Sequence, residues 1–522
     1  MRGHLRLLSL LALSLSLVIP LSWTPEQLGP AARADDATAR TSPAPQFDSQ
    51  RPNILLITTD DQTLQEMKYL PATRQLLGDA GVTFTHMLSP HPLCCPARAE
   101  LMTGQYAQNN GVYTNGGLRG GWGALLDPAN TLGAWLQDAG YRTAMLGKFL
   151  NKWRPDQHGI PEGWSDFRAS PVDSFGYYDF RINANGRAMS FADGESYSTT
   201  YITDATVELI QQWSEPELDG LQAGQHRPFF IWSSYYAPHG DCRNSSGGCK
   251  APPTPERQYA DEYSSEEAPA VSKPSFNEPG DAPNPVVRKK VRKGRPDTSA
   301  AAMNHLHRQR ARSLISVDHG VQSIVSTLAQ AGQLDNTLIL FTSDNGYLLG
   351  EHQYLGKVLA YDEALRVPLL VRGPGIPEGE QRSQFVTTVD LAPTIVAAAG
   401  AVPGRRVDGR DLSEILTRDV GGKVDTILVQ AGQPKSVSEQ GTWLYRGVRT
   451  KRWTYTRWVT TKGDVFHELF DNKRDPFQVR NLASSSRARD RRVLRDLRQR
   501  ASTLGTCSGT VACFRSFSGP AG

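Results

Sequence analysis

The chain has 522 residues, 39% hydrophobic and 21% charged, with a net charge of only +4. Its length predicts about two to four domains, and its composition is that of a globular protein. With no long basic stripe beside it, so small a net charge gives no case for nucleic-acid binding.

The chain begins with "MRGHLRLLSLLALSLSLVIPLSW", which pairs a basic start (Arg2, Arg6) with an apolar run from Leu7 to Leu21. Ala32, Arg33 and Ala34 then offer a small-x-small cleavage site before Asp35. The apolar run has 15 residues, includes Ser and Pro, and falls short of a spanning helix. Residues 1–34 therefore read as a cleaved export signal, which predicts a secreted protein without stable membrane insertion; an uncleaved anchor is the alternative. Residues 35–50 read as a disordered mature N-terminus.

Five β-type runs follow, and four of them end in chemically able residues. Asn53–Thr58 leads into Thr59, Asp60 and Asp61; Tyr141–Gly147 leads into Lys148. Pro228–Tyr236 leads into Ala237, Pro238 and His239, and Thr337–Ser343 into Asp344 and Asn345; Val367–Gly373 is the fifth. Helix-like segments at Asn130–Gly140, Arg310–Gly332 and Val389–Gly400 lie between and after them. Alternating strands and helices predict an α/β fold with a large, mostly parallel sheet flanked by helices. In such sheets ligands bind outside the carboxyl ends of the strands. Any one polar strand end is ordinary loop. Four together, carrying an acid pair, a lysine, a histidine and an Asp-Asn pair, favour a built site.

Residues 241–300 depart from this pattern and read as an insertion or loop region within a catalytic domain spanning 51–401. They contain a stretch rich in Pro, Glu and Ser and a basic run, Val286–Arg295. A solvated loop is the plainer reading of that run, and a surface meeting an anionic polymer the other. "NSS" at Asn244 is a glycosylation sequon where the host glycosylates. From residue 402 the pattern becomes antiparallel strands, a polar turn and an Arg-rich helix, so 402–522 read as a smaller C-terminal domain.

Export places the six cysteines in an oxidising space. Cys242 and Cys249 bracket six residues, and Cys507 and Cys513 bracket five; each pair predicts a local disulfide. That leaves Cys94 and Cys95, which as neighbours are badly placed to bond to each other.

Asp60, Asp61, Asp344 and Asn345 are hard oxygen donors, suited to calcium or magnesium and not to zinc. The alternative for Asp60-Asp61 is capping of a helix beginning near Gln62. The doubled cysteine lies in "CCPARAELMTG", a C-x-P-x-R pattern in which Cys94 is followed by Pro96 and Arg98. This string resembles the signature of the type I, formylglycine-dependent sulfatases. The likeness runs from "RPNILLITTDDQ" at Arg51 to Ala483. The doubled cysteine, "NNGVYTN", "GKFLNKW", "YAPHG" and "FTSDNGYLLGEH" are most similar to the branch of N-acetylglucosamine-6-sulfatases and extracellular heparan sulfatases.

The resemblance implies an alkaline-phosphatase-like sandwich with an antiparallel C-terminal sheet. It implies that Cys94 is oxidised to formylglycine (3-oxoalanine) by a formylglycine-generating enzyme, with Cys95 only the x of the motif. It further implies a calcium ion, with magnesium as the second choice, held by Asp60, Asp61, residue 94, Asp344 and Asn345. Arg98 would orient the nucleophile, one helical turn from Cys94. Lys148, His239 and Lys357 would hold the sulfate group, with His239 as general acid. Where many arylsulfatases have a histidine two residues after the lysine, this chain has Leu150 and then Asn151. No histidine base is assigned there, and Asn151 stands as a candidate. Glu351 and His352 read either as pocket lining or as loop.

The implied substrate is a sulfated sugar such as N-acetylglucosamine 6-sulfate. The alternatives are a broad arylsulfatase, a phosphate or phosphonate ester hydrolase of the same architecture, and a non-catalytic glycan binder should Cys94 stay unoxidised.

Overall fold

The computed structural model describes residues 51–171, 174–215, 227–242, 249, 251–278, 284, 297–420, 424–433, 443–460 and 462–521. The export signal, the mature N-terminus to residue 50, the basic run 286–295 and the Asn244 sequon lie outside the described residues.

At the centre is the strand Asn53–Thr59, every residue of which is buried. A strand buried on both faces must be apolar throughout, and "NILLITT" comes close to that. Ile54 and Leu56 point into one core and Leu55 and Ile57 into the other, following the two-residue repeat of a strand. The first core is closed by the helices Cys94–Thr103, Leu132–Asp138 and Thr388–Ala399. Ser198–Ser214 and Ala300–Gln330 close the second. The result is the expected three-layer α/β arrangement.

The main sheet has ten strands. Asn53–Thr59 runs parallel to Phe229–Ser234 on one side and to Thr337–Ser343 on the other, and Arg142–Gly147 runs parallel to Phe229–Ser234. The fifth expected strand, Leu369–Arg372, is antiparallel to Thr337–Ser343. The connection between them holds only short elements, among them the one-turn helix Asp362–Leu365, and no helix long enough to pack back across the sheet as a parallel crossover does.

Beyond this sheet, Thr426–Gly432, Trp443–Thr450, Trp453–Val459 and Val465–Asp471 form the antiparallel four-stranded sheet expected near the C-terminus. The Arg-rich helix Ala488–Leu504 covers it through Val493, Leu497 and Leu504. Both expected disulfides are formed, Cys242–Cys249 and Cys507–Cys513. Among the described residues no helix is long and apolar enough to cross a membrane.

Strand register fixes the position of the site. Thr58 pairs with Ser234, Thr59 with Ser343 and Gly147 with Ser234, so four strands end level with one another. The backbone leaves them in step: Asp344 N–H donates to Thr59 O (3.2 Å) and Lys148 N–H to Ser234 O (2.9 Å).

Candidate active site

Cys94 is the first residue of the helix Cys94–Thr103. Leu93 before it is extended, Pro96 falls in the first turn where no backbone donor is needed, and Gly104 ends the helix at φ +61. All ten helical residues are buried, so the helix N-terminus, with its partial positive charge, opens directly onto the strand ends.

Cys94 Sγ lies 3.4 Å from Asp60 Oδ1 and 2.7 Å from Lys357 Nζ. Burial pushes its thiol up to about 12 despite Lys357, so the thiol stays protonated at neutral pH. Arg98, one turn on, is fully buried. Its Nε donates to Asp344 Oδ2 (2.9 Å), and its Nη1 donates to Lys148 O (2.9 Å) and Ser234 Oγ (2.5 Å). Its Nη2, 3.8 Å from Asp60 Oδ2, has no hydrogen-bond partner among the described residues.

Lys148 Nζ pairs with Asp60 Oδ2, and Lys357 Nζ with Asp61 Oδ1. Burial, assisted by the Lys357 charge, pulls Lys148 down to about 7. Burial opposes the charge on Lys357 too, but Asp61, Cys94 and Asp344 more than reverse this and hold it above its usual value. His239 Nδ1 lies 2.8 Å from Gly240 O, so the proton on Nδ1 leaves Nε2 facing Asp61 Oδ2 at 3.7 Å. Burial and the two lysines hold this imidazole well below its usual value.

A hard cation fits the oxygen donors. Asp60, Asp61, Cys94 and His239 offer ligand atoms all within 4.8 Å of one another. Asn345 Nδ2 donates to Asp61 Oδ1 (2.7 Å), while its buried Oδ1 has no partner among the described residues. Asp344 Oδ1 accepts from Asp61 N–H at 3.2 Å. Three buried carboxylates and an orphaned amide oxygen are hard donors of the kind that suit calcium or magnesium.

Asp60-Asp61 does not cap a helix. Thr63 does, forming a reciprocal box with Glu66 at the head of the short helix Leu64–Tyr69, which frees the two aspartates for the site. His352 and Glu351 are neither solvated loop nor part of this cluster. The His352 ring stacks on Tyr361 at 3.7 Å, and Glu351 pairs with Lys273. Leu150 is core, and the Asn151 side-chain oxygen is buried without a partner among the described residues. Cys95 is fully buried, and its backbone N–H donates to Asn115 Oδ1 (2.9 Å).

Sequence reasoning missed Ser234 and Asn115. Ser234 was readable as the last residue of a strand aimed at the site. Asn115 closes the motif "NNGVYTN", where nothing singled it out from its neighbours.

Glu100, on the helix Cys94–Thr103, is fully buried and has no ion-pair partner among the described residues. Its Oε2 accepts from Thr388 Oγ1 (3.0 Å), and its Oε1 has no partner among the described residues. Burial holds the carboxyl well above its ordinary value of 4.5. The native state therefore binds this proton more tightly than the unfolded chain does. The stability it contributes is whole below pH 4.5 and is lost as pH rises through the raised native value. Glu100→Gln keeps an acceptor for Thr388 and cannot ionise. The variant is expected to be more stable than the native protein at pH 7 and to match it near pH 4, as measured by denaturant melts across pH.

The sulfatase family model matches residues 52–401, and a model for the N-sulphoglucosamine sulphohydrolase C-terminal region matches 350–505. The chain is 31% identical over 501 residues to the N-acetylglucosamine-6-sulfatase of Homo sapiens, covering 88% of this chain and 86% of that one. It is 34% identical over 401 residues to the putative extracellular sulfatase Sulf-1 homolog of Caenorhabditis elegans. That match covers 74% of this chain and 53% of the nematode protein, so the chain spans about half the length of that relative. A solved structure in complex with its substrate, D-glucosamine-2-N,6-O-disulfate, superposes with a TM-score of 0.67 at 22% identity, over 87% of this chain and 97% of the other. The chain belongs to the sulfatase family, a family of sulfuric ester hydrolases.

Proposed function

We propose that the protein hydrolyses sulfate esters of sugars, N-acetylglucosamine 6-sulfate units among them, after Cys94 has been converted to formylglycine by a maturation enzyme. The observation that carries this is the convergence on Cys94 Sγ of Asp60 (3.4 Å) and Lys357 (2.7 Å), at the mouth of a buried helix whose next turn places Arg98. The glucosamine 6-sulfatase relatives favour the sugar, and the export signal read at residues 1–34 supports a secreted enzyme.

A hydrated aldehyde at position 94, once formed from Cys94, would supply one hydroxyl as the nucleophile toward sulfur and a second for release of inorganic sulfate. A calcium ion held by Asp60, Asp61, residue 94, Asp344 and Asn345 supplies polarisation of the sulfate oxygens and of the nucleophile. The chain's own residues do the rest. Arg98 is anchored at Nε and Nη1 and directs its unpartnered Nη2 into the site, where it offsets negative charge on the nucleophile. Lys148 and Lys357 receive the sulfate oxygens. Burial is the main cause of the depressed His239, and an anionic ester between the lysines offsets their smaller contribution, which favours protonation of the imidazole. His239 Nε2 then carries the proton that the departing sugar oxygen needs.

Metal removal tests this reading. Dialysis against a chelator is expected to lower sulfate release from N-acetylglucosamine 6-sulfate by more than about 100-fold, and added calcium to restore it. The same preparation is expected to turn over an aryl sulfate faster than the matching aryl phosphate. Faster phosphate release would favour the phosphate-ester reading of this fold.

A further inference from the structure

We propose that Arg310 is the positioning residue that locks three loops of the site against one another, and thereby sets both cation affinity and the placement of His239. This rests on the calcium-dependent reading above. Arg310 lies on the helix Ala300–Gln330, outside the cluster just described, and is 1% exposed. Its Nη2 donates to Asp61 O (2.7 Å), and its Nη1 donates to Pro238 O (3.3 Å), immediately before His239. Its guanidinium carbon stands 4.8 Å from the centre of the Tyr347 ring, two residues after Asn345. These loops follow the three central strands, Asn53–Thr59, Phe229–Ser234 and Thr337–Ser343. One side chain therefore touches the loop of a metal ligand, the loop of the general acid and the loop of a second metal ligand.

Two further features show that the contact is built. Asp61 has φ +68, a left-handed conformation costly for a residue with a side chain. That conformation presents its carbonyl to Arg310, while its carboxylate meets Lys357 and Asn345. Glu66 fixes the guanidinium through Nε (2.6 Å) and Nη2 (2.7 Å), and its Oε2 also accepts from Thr63 N–H (2.8 Å). Arg310, Asp61, Thr63 and Glu66 thus close a ring around the loop that carries the aspartate pair. Only a planar fork with several donors serves Glu66, Asp61 and Pro238 together; an ammonium cannot. A buried ion pair contributes little net stability, so positioning is the return on burying this one.

The test is calorimetric titration of calcium into the metal-free, full-length protein, alongside kcat and KM on a sulfate ester. Glu66→Gln/Arg310→Met removes both charges at similar volume and is expected to fold. It should bind calcium about 10–100-fold more weakly, with kcat reduced and KM nearly unchanged. Glu66→Gln alone keeps the donors to Asp61 and Pro238 and should bind calcium within about 3-fold of native. Arg310→Lys, the fallback should the double variant not fold, should show the same weakening. Native calcium affinity and kcat in any folded Arg310 variant would overturn the proposal. Failure of the native protein to bind calcium would refute the metal reading beneath it.

Discussion

Cys94→Ala is expected to abolish sulfate release, by at least about 1,000-fold, while Cys95→Ala leaves it within a few-fold of native. The two thiols are adjacent, both are buried, and burial pushes both up to about 12. Neither is a ready nucleophile as a thiol. What separates them is direction. Cys94 Sγ faces Asp60 and Lys357 at the strand ends, whereas Cys95 belongs to the first core. Losing the Cys95 sulfur therefore costs packing, about 1 kcal/mol, visible in a melt and not in turnover. Paired steady-state assays on the two variants check this. Equal loss of activity in both would contradict the assignment.

The second large effect belongs to Arg98. Arg98→Lys keeps a positive charge near Asp344 but gives up the fork that reaches Lys148 O and Ser234 Oγ. A loss of about 100–1,000-fold in kcat is expected, since a fixed donor at the reacting group is removed. Arg98→Ala also strands Asp344, a fully buried carboxylate, and should destabilise the fold by about 3–5 kcal/mol. Comparing kcat of the lysine variant with the unfolding midpoint of the alanine variant separates the two roles. A lysine variant with native kcat would show that Arg98 only holds the fold.

Much of this site was readable in the sequence because parallel strands deliver their carboxyl ends to one edge. Asp60, Asp61, Lys148, His239, Asp344 and Asn345 each follow an apolar run, and the register between Thr58, Gly147 and Ser234 brings the runs level. Lys357 is different. It lies between the two-residue strand Leu355–Gly356 and the helix Asp362–Leu365, where no periodicity marks it, and only the family motif pointed to it. Its loop is held from the C-terminal sheet, where Tyr445 OH donates to Val358 O (2.8 Å). Such a long-range contact leaves no local trace.

Arg310 was invisible for another reason. An arginine on an amphipathic helix reads as solvent face, and nothing nearby in sequence announces Glu66 as its partner. The first ten residues of its helix, from Ala300, were missed because they are too polar to show a stripe, although Ser299 caps them by accepting from Ala302 N–H (3.2 Å). Short strands such as Val82–Phe84 and its edge neighbour Glu380–Arg382 are too brief to display alternation at all. The direction of Leu369–Arg372 likewise depends on whether the connection before it packs back across the sheet as a helix, and composition does not encode it.

The central claim concerns one atom. Trypsin releases residues 75–98, a peptide that ends at Arg98 and holds both unpaired cysteines. If Cys94 is remade as an aldehyde, this peptide from the mature protein weighs about 18 Da less than its sequence mass, or close to that mass as the hydrate, and takes up one alkyl group on its remaining thiol. A peptide of unchanged mass that accepts two alkyl groups, from protein that still releases sulfate, would contradict the account.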